Sequence, residues 1–171
     1  MITKNEIDNL AKEYENTDFI KDDPIQFPHR FSTLKDIEIA GFISSLVAYG
    51  SRKVFIKKLD SLFEIAQNEP LNFILNFEPK LLGNFNYRFG KPNDFAEIFS
   101  IMKELYEHDG GLSELFKYSY NNIGTLTDFN FFKTITDYFY SRVKNDVGQG
   151  FYFMIPNPEN GGAMKRMNMF L

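Results

Sequence analysis

The 171-residue sequence contains neither cysteine nor tryptophan. The absence of cysteine excludes disulfides, thiolate metal ligands and a cysteine nucleophile, and it fits a reducing compartment. The longest uncharged apolar stretch, residues 39–49, is far shorter than the ~20 residues that a membrane-spanning helix needs. Residues 1–10 also lack an apolar core of signal-peptide length. We therefore expect a soluble cytoplasmic protein with no membrane partner.

The chain also lacks an excess of positive charge, because 23 acidic residues outnumber 19 lysines and arginines and the net charge is −4. Any binding to nucleic acid would therefore need a local basic patch. Hydrophobic residues make up 43% and charged residues 25% of the chain, which is typical of a globular protein. With 20 phenylalanines, the core is expected to be rich in that residue. The length predicts that residues 1–171 form a single helical domain.

The segment TLKDIEIAGFISSLVAYG, residues 33–50, predicts the helix around which the chain is organised. Large apolar residues recur at helical spacing on one side of it, and small residues occupy the other side, so other helices can pack closely on both. Ser32 or Thr33 can cap it, with Asp36 in the first turn. We predict an all-α bundle around a central helix at about 34–49. The large residues are Ile39, Phe42, Ile43, Leu46 and Tyr49, and the small ones are Ala40, Gly41, Ser44, Ser45 and Ala48.

Apolar periodicity predicts further helices along the chain, and strand-like alternation is absent. The first helix should bury Ile7, Leu10, Ala11 and Tyr14. Pro24 and Pro28 predict an extended segment over 18–32, and the two prolines of 151–162 predict a loop. The predicted helices are 4–16, 52–67 (burying Val54, Phe55, Leu59, Leu62, Phe63 and Ala66), one beginning at Pro70, 93–108, 113–121, and 128–145 with Asp128 as its cap.

Residues 162–171 (GAMKRMNMFL) predict the start of a helix with Met164, Met167 and Leu171 on one side. The chain then stops on apolar residues 169–171, with no cap and no polar tail. We expect that the domain is incomplete at its C-terminus, or that a second copy covers this apolar segment in a homo-oligomer.

Catalytic and metal-binding patterns are weak. His29 and His108 have no ligand-spaced partner, so we predict no metal and no cofactor. Asp36 and Glu38 point to different faces of the central helix. Ser44-Ser45 lies in an apolar helix, where hydroxyls commonly bond back to the carbonyl four residues earlier, which favours packing over catalysis.

Phosphate binding has more support, because a glycine pair leads into a helix that carries two basic residues. Free N–H groups at a helix start bind anions, and lysine and arginine add charge. We predict Gly161, Gly162, Lys165 and Arg166 as nucleic-acid-binding residues. The alternative is that they are a plain loop and two exposed side chains. Residues 84–91 (NFNYRFGK) offer base stacking beside Arg88, with core packing as the alternative.

Four motifs in order, DDPIQFPHRF, DIEIAGFISSLVAYGSR, FNYRF and IPNPENGGAMKRMNMFL, resemble an uncharacterised bacterial family, domain of unknown function 2400. The resemblance implies that the chain covers the N-terminal two thirds of such a protein. Family members usually carry Ser-Ala-Cys or similar before the Lys-Arg pair. Gly162-Ala163-Met164 stands there in this chain, so any role of that cysteine is absent.

The order of elements is also similar to the helix-hairpin-helix DNA glycosylases, which are all-α. In them a glycine-rich hairpin leads into a helix bearing a lysine, and Gly161-Gly162 and Lys165 take those places. The resemblance implies DNA as partner and makes Lys165 a candidate catalytic nucleophile. The assisting aspartate would lie beyond Leu171, so activity is expected to be absent from this chain.

Three functions stay open from the sequence. The first is nucleic-acid binding through residues 161–166. The second is a structural or interaction module completed by a partner chain or a second copy. The third is an enzyme acting on a small molecule, which would need a pocket lined by Asp36 or His29 with a strongly perturbed titration.

Overall fold

The computed structural model describes residues 3–14, 20–124 and 129–171. These residues form an all-α bundle without a β-strand, which confirms the predicted fold class, and a single bridge joins Tyr87 and Gly90. The α-helices are α1 (Lys4–Tyr14), α2 (Leu34–Val47), α3 (Arg52–Ile65), α4 (Pro70–Leu75), α5 (Pro92–His108), α6 (Leu112–Ile123), α7 (Phe129–Tyr140), α8 (Gln149–Met154) and α9 (Lys165–Phe170). Short 3-10 segments lie at Pro24–Gln26, Pro28–Arg30, Pro79–Leu82 and Pro158–Asn160.

Helix α2 occupies the centre, as predicted. The hydroxyl of Thr33 accepts a hydrogen bond from the Asp36 N–H at 3.3 Å and so caps the first turn. The helix ends at Val47, two residues before the predicted end. Gly50 follows with φ +85°, a left-handed conformation that glycine adopts without steric cost and that redirects the chain into α3.

Both sides of α2 are covered by other elements. Helices α3, α4, α6 and α9 all contact it, as do the two 3-10 segments that precede it. On the small-residue side, a Cβ added at Gly41 would lie 3.6 Å from the Phe170 ring, so the absence of a side chain there lets α9 approach. Phe42 lies next to it and contacts the rings of Phe139 and Phe170 at 5.7 and 5.4 Å.

The core is rich in phenylalanine, as the composition predicts. Rings meet mainly edge to face, as where Phe99 contacts Phe73 and Phe77 at 5.8 and 5.4 Å. Helix α5 packs against α4 and α8. Its whole predicted apolar stripe is buried: Phe95, Ile98, Phe99, Met102, Leu105 and Tyr106.

Two buried carboxylates on α5 hold the loop that leads to α8. Asp94 accepts hydrogen bonds from the backbone N–H groups of Lys91 at 2.8 Å and Gly148 at 2.6 Å. Glu97 accepts one from the Lys144 backbone N–H and one from the Asn145 side chain. Because each carboxylate receives donors, the cost of burying it is offset.

The first helix differs from the prediction in its burial. Helix α1 forms within the predicted range, yet Ile7 is 53% exposed and Leu10 is exposed as well. The periodicity correctly indicates a helix, but no neighbour among the described residues covers this part of its stripe. The burial of Tyr14 and the predicted cap Asp128 lie outside the described residues.

Other differences are local. Residues 24–30 form 3-10 turns instead of an extended segment, because proline fixes φ near the helical value. Val54 is exposed although it was predicted to be inward. Residues 151–154 belong to helix α8, whereas a loop was predicted; the prolines that favoured the loop lie after the helix. No helix among the described residues has the length and apolarity needed to span a bilayer.

Replacing Asp94 by alanine should lower the free energy of unfolding by about 3 kcal/mol, because two backbone donors lose their buried partner. Urea unfolding followed by circular dichroism measures this. Glu107→Ala, at an exposed position of the same helix, is the control and should change stability by less than about 0.5 kcal/mol. Equal effects of the two substitutions would contradict a structural role for Asp94.

Candidate nucleic-acid interface

The backbone conformation at the predicted phosphate site, residues 161–166, differs from the predicted glycine pair followed directly by a helix. Gly161, with φ +73°, ends the 3-10 segment Pro158–Asn160. Gly162 does not lead directly into a helix, because Ala163 and Met164 precede α9. Since α9 has only six residues, few peptide dipoles are aligned at its start. Phosphate binding here would depend on side chains more than on the helix terminus.

The two basic residues differ in their surroundings. Lys165 is exposed, whereas Arg166 is half-buried. The Arg166 guanidinium lies 3.9 Å from the centre of the Phe153 ring and 5.0 Å from that of Tyr49. Burial lowers the pKa of Arg166, and the nearby Tyr49 opposes this shift. A cation stacked on two rings is held in one orientation.

Arg166 makes no hydrogen bond to the described residues, and its Nε is buried without a partner. Arg88 and Lys165 likewise form no ion pair within the part of the chain that the structure describes. Other basic residues do form ion pairs, for example Arg30 with Asp60 at 2.8 Å. Three positive charges in this region are therefore not neutralised by described carboxylates.

Phe89 extends the aromatic part of this region to the surface. Its ring lies 4.9 Å from Phe153 and 6.4 Å from Tyr49, nearly parallel to the latter at 8°. It is 55% exposed, which leaves much of the ring available for contact. Burial raises the pKa of Tyr49, and the charges of Arg166 and Arg88 oppose that shift.

A tight turn positions Arg88 and Phe89. Tyr87 and Gly90 exchange backbone hydrogen bonds at 2.9 and 2.8 Å, which leaves residues 88 and 89 at the tip. The Tyr49 hydroxyl donates to the Tyr87 carbonyl at 3.0 Å, and the Tyr87 hydroxyl donates to the Tyr49 carbonyl. These reciprocal bonds tie the turn to the end of the central helix.

We call this region the aromatic–basic surface. It joins two segments that were singled out separately in the sequence, residues 84–91 and 161–166. Sequence reasoning missed two of its members, because Tyr49 fitted the apolar stripe of the central helix and Phe153 fell in a predicted loop. The surface consists of Tyr49, Arg88, Phe89, Phe153 and Arg166, together with the exposed Lys165, which precedes Arg166 in the chain.

Two of the remaining candidate residues, Asp36 and Glu38, accept hydrogen bonds within the protein. Asp36 accepts the Leu71 N–H at 2.8 Å and also the Thr33 hydroxyl. Glu38 accepts the Tyr106 hydroxyl at 3.0 Å. Burial, together with the charge of Glu38, raises the pKa of Tyr106. His29 is exposed. These contacts favour a structural role for Asp36.

The fold and this surface define an all-α protein with a basic, aromatic face. By sequence the chain belongs to the family described as "Protein of unknown function (DUF2400)", whose model matches residues 23–171. This confirms the resemblance to that family, whereas the implied coverage of its N-terminal two thirds stays a prediction. Comparisons with curated proteins and with solved structures find no match, and the likeness to DNA glycosylases stays a prediction.

Arg166→Ala should lower the free energy of unfolding by about 1–2 kcal/mol, since it removes a partly desolvated cation–π contact and the packing of the aliphatic stem. Lys165→Ala, at the preceding exposed position, should change it by less than about 0.5 kcal/mol. Chemical denaturation of both variants measures the difference. Equal losses would show that stacking on Phe153 and Tyr49 does not hold Arg166.

Proposed function

We propose that this protein binds nucleic acid through the aromatic–basic surface. The observation that carries the proposal is the position of Arg166, stacked on Tyr49 and Phe153 beside the exposed ring of Phe89. Proteins that bind single strands combine aromatic rings, on which bases stack, with cations that contact the phosphates. The surface offers both kinds of group.

Each part of the surface has a distinct role in the proposed complex. Phe89 provides the ring for an unpaired base, while Lys165 and Arg88 contact phosphates. Arg166 also contacts a phosphate, and its stacking holds the rings in place. Because the net charge of the chain is −4, attraction must come from this local cluster of cations, and affinity must fall as salt screens it.

Binding fits the geometry better than catalysis. A lysine nucleophile is activated by desolvation or by a neighbouring cation, whereas Lys165 is exposed. Because its ammonium group is exposed, Lys165 is suited to contact a phosphate. The resemblance to helix-hairpin-helix glycosylases supports nucleic acid as the ligand, and the proposal assigns this chain no reaction.

The double variant Lys165→Ala, Arg166→Ala should weaken binding of a short fluorescein-labelled single strand at least tenfold at low salt. A plot of the logarithm of the binding constant against the logarithm of the salt concentration should also become less steep. Its slope should fall in magnitude by about 1.4, because two phosphate contacts are lost at ~0.7 per contact. Phe89→Ala should cost about tenfold with an unchanged slope, because stacking contributes ~1–3 kcal/mol per base. Fluorescence anisotropy measures both effects.

The control is Lys4→Ala, Lys12→Ala, which removes the same charge from two exposed positions on α1. It should bind like the wild type. Thermal denaturation of every variant separates loss of binding from loss of folding. Negligible binding by the wild type, or equal loss in the control, would overturn the proposal.

A second candidate is an interaction module that pairs with a second copy of the chain. The observation in its favour is that Met169 and Leu171 are 50% and 52% exposed. Only part of the segment 169–171 is available to a second copy, because Phe170 packs against Phe42 and Phe116 of its own chain. Met164 and Met167 are buried, whereas Leu171, which was predicted on the same side of the helix, is exposed. Adjoining exposed apolar side chains are typical of contact surfaces.

If a second copy covers this segment, the wild type should show a concentration-dependent oligomer in sedimentation velocity. Met169→Ser with Leu171→Ser should shift the equilibrium to monomer, because it removes apolar area from the contact. Ile7→Ser with Leu10→Ser, a matched change on α1, should leave the equilibrium unaltered. A wild type that stays monomeric at all concentrations would refute this candidate.

A further inference from the structure

A cleft of about 690 Å³ lies on the small-residue side of α2. The 3-10 segments at 24–30 and the last residues of α9 form its other walls. It shares no residue with the aromatic–basic surface. Its volume falls in the range of small-molecule sites, which is roughly 300–1,000 Å³.

Ser44 lines this cleft, and the described residues do not satisfy its hydroxyl. The side chain is 2% exposed, and its Oγ has no hydrogen-bond partner among the described residues. The neighbouring Ser45 is different, because its hydroxyl donates to the Phe42 carbonyl at 2.7 Å. The sequence predicted that both serines bond back to their own helix. A buried hydroxyl that no described residue satisfies is uncommon, and it is a candidate hydrogen-bond partner for a ligand.

The charged groups of the cleft have one sign. Asp23 and Glu38 are half-buried and line it, with the exposed His29 beside them. The residues that line it, within the described part of the chain, include no lysine or arginine. Lys35 lies over the Tyr106 ring at 5.9 Å and is not part of the lining.

The distance between Glu38 and Ser44 along α2 determines the length of a ligand that could contact both. Glu38 and Ser44 are six residues apart, so their Cα atoms lie about 9 Å apart along the helix axis. Gly41 lies between them, and the Phe170 ring packs close to it and forms one wall of the cleft. Phe31, Ile37 and Phe170 provide apolar walls. A complementary molecule would have a cation at one end, an apolar body, and a hydrogen-bonding group at the other end.

We propose that this cleft is a binding site for a small organic cation of that form, an ammonium joined through an aromatic or aliphatic body to a distal hydroxyl. The ammonium pairs with the carboxylates of Glu38 and Asp23. The body packs on Phe31 and Phe170, and the distal hydroxyl bonds to Ser44 Oγ. A charged hydrogen bond in a partly buried cleft is stronger than one in bulk water.

Three probes of similar size test the proposal: tyramine, phenethylamine without the hydroxyl, and the anion 4-hydroxyphenylacetate. Titrations followed by the amide resonances of Gly41 and Ser44 should show tyramine binding in the millimolar range or tighter. Phenethylamine should bind about fivefold more weakly, which is one hydrogen bond. The anion should not bind. Anion binding equal to that of tyramine would overturn the proposal.

Ser44→Ala should reduce tyramine affinity about fivefold, to the level of phenethylamine, and leave phenethylamine affinity unchanged. Ser45→Ala is the matched control and should alter neither, because its hydroxyl is already bonded within the helix. Glu38→Gln, which can still accept the Tyr106 hydroxyl, should weaken both amines about tenfold. Equal loss of tyramine binding in the two serine variants would overturn the role of Ser44.

Folding is checked separately. Ser44→Ala removes a hydroxyl that has no described partner, so its melting temperature should match or exceed that of the wild type. Should a second copy cover the cleft, the Gly41 and Ser44 resonances would shift with protein concentration before any probe is added. That outcome, combined with no effect of tyramine, would also overturn the proposal.

Discussion

The contact between the small-residue side of α2 and the C-terminal helix is the constraint on which the rest of the structure depends. Gly41 has no side chain where Phe170 lies, so α9 packs directly on the central helix. This packing places Arg166 beside Tyr49, just after the end of α2. It also makes the last residues of the chain a wall of the cleft. Both proposed sites therefore depend on one close approach of two helices.

The two sites have opposite electrostatic character although the same helix connects them. At one end of α2, Arg88, Lys165 and Arg166 carry positive charge without described carboxylate partners. On the small-residue side of α2, Asp23 and Glu38 give the cleft negative charge. A net charge of −4 does not reveal this separation, because it sums over the whole molecule. Local charge decides which ligand each face attracts.

Sequence periodicity was enough to predict the helices other than α8, because most of them bury an apolar stripe whose spacing is visible in the chain. It succeeded best for α5, where every predicted inward residue is buried. It could not show which stripes would find a neighbour, so the exposure of Ile7 was missed. The sites depend on contacts between distant segments. Nothing near Arg166 in the sequence indicates that Phe153 and Tyr49 flank it, and nothing near Ser44 distinguishes its hydroxyl from that of Ser45.

The reciprocal hydrogen bonds between Tyr49 and Tyr87 have a consequence for molecular recognition. They fasten the tip that bears Phe89 to the most deeply packed helix of the protein. A ring supported in this way has little conformational freedom left to lose when a ligand contacts it. Association at this tip would therefore incur a small entropic penalty, and the surface is preorganised before any ligand arrives.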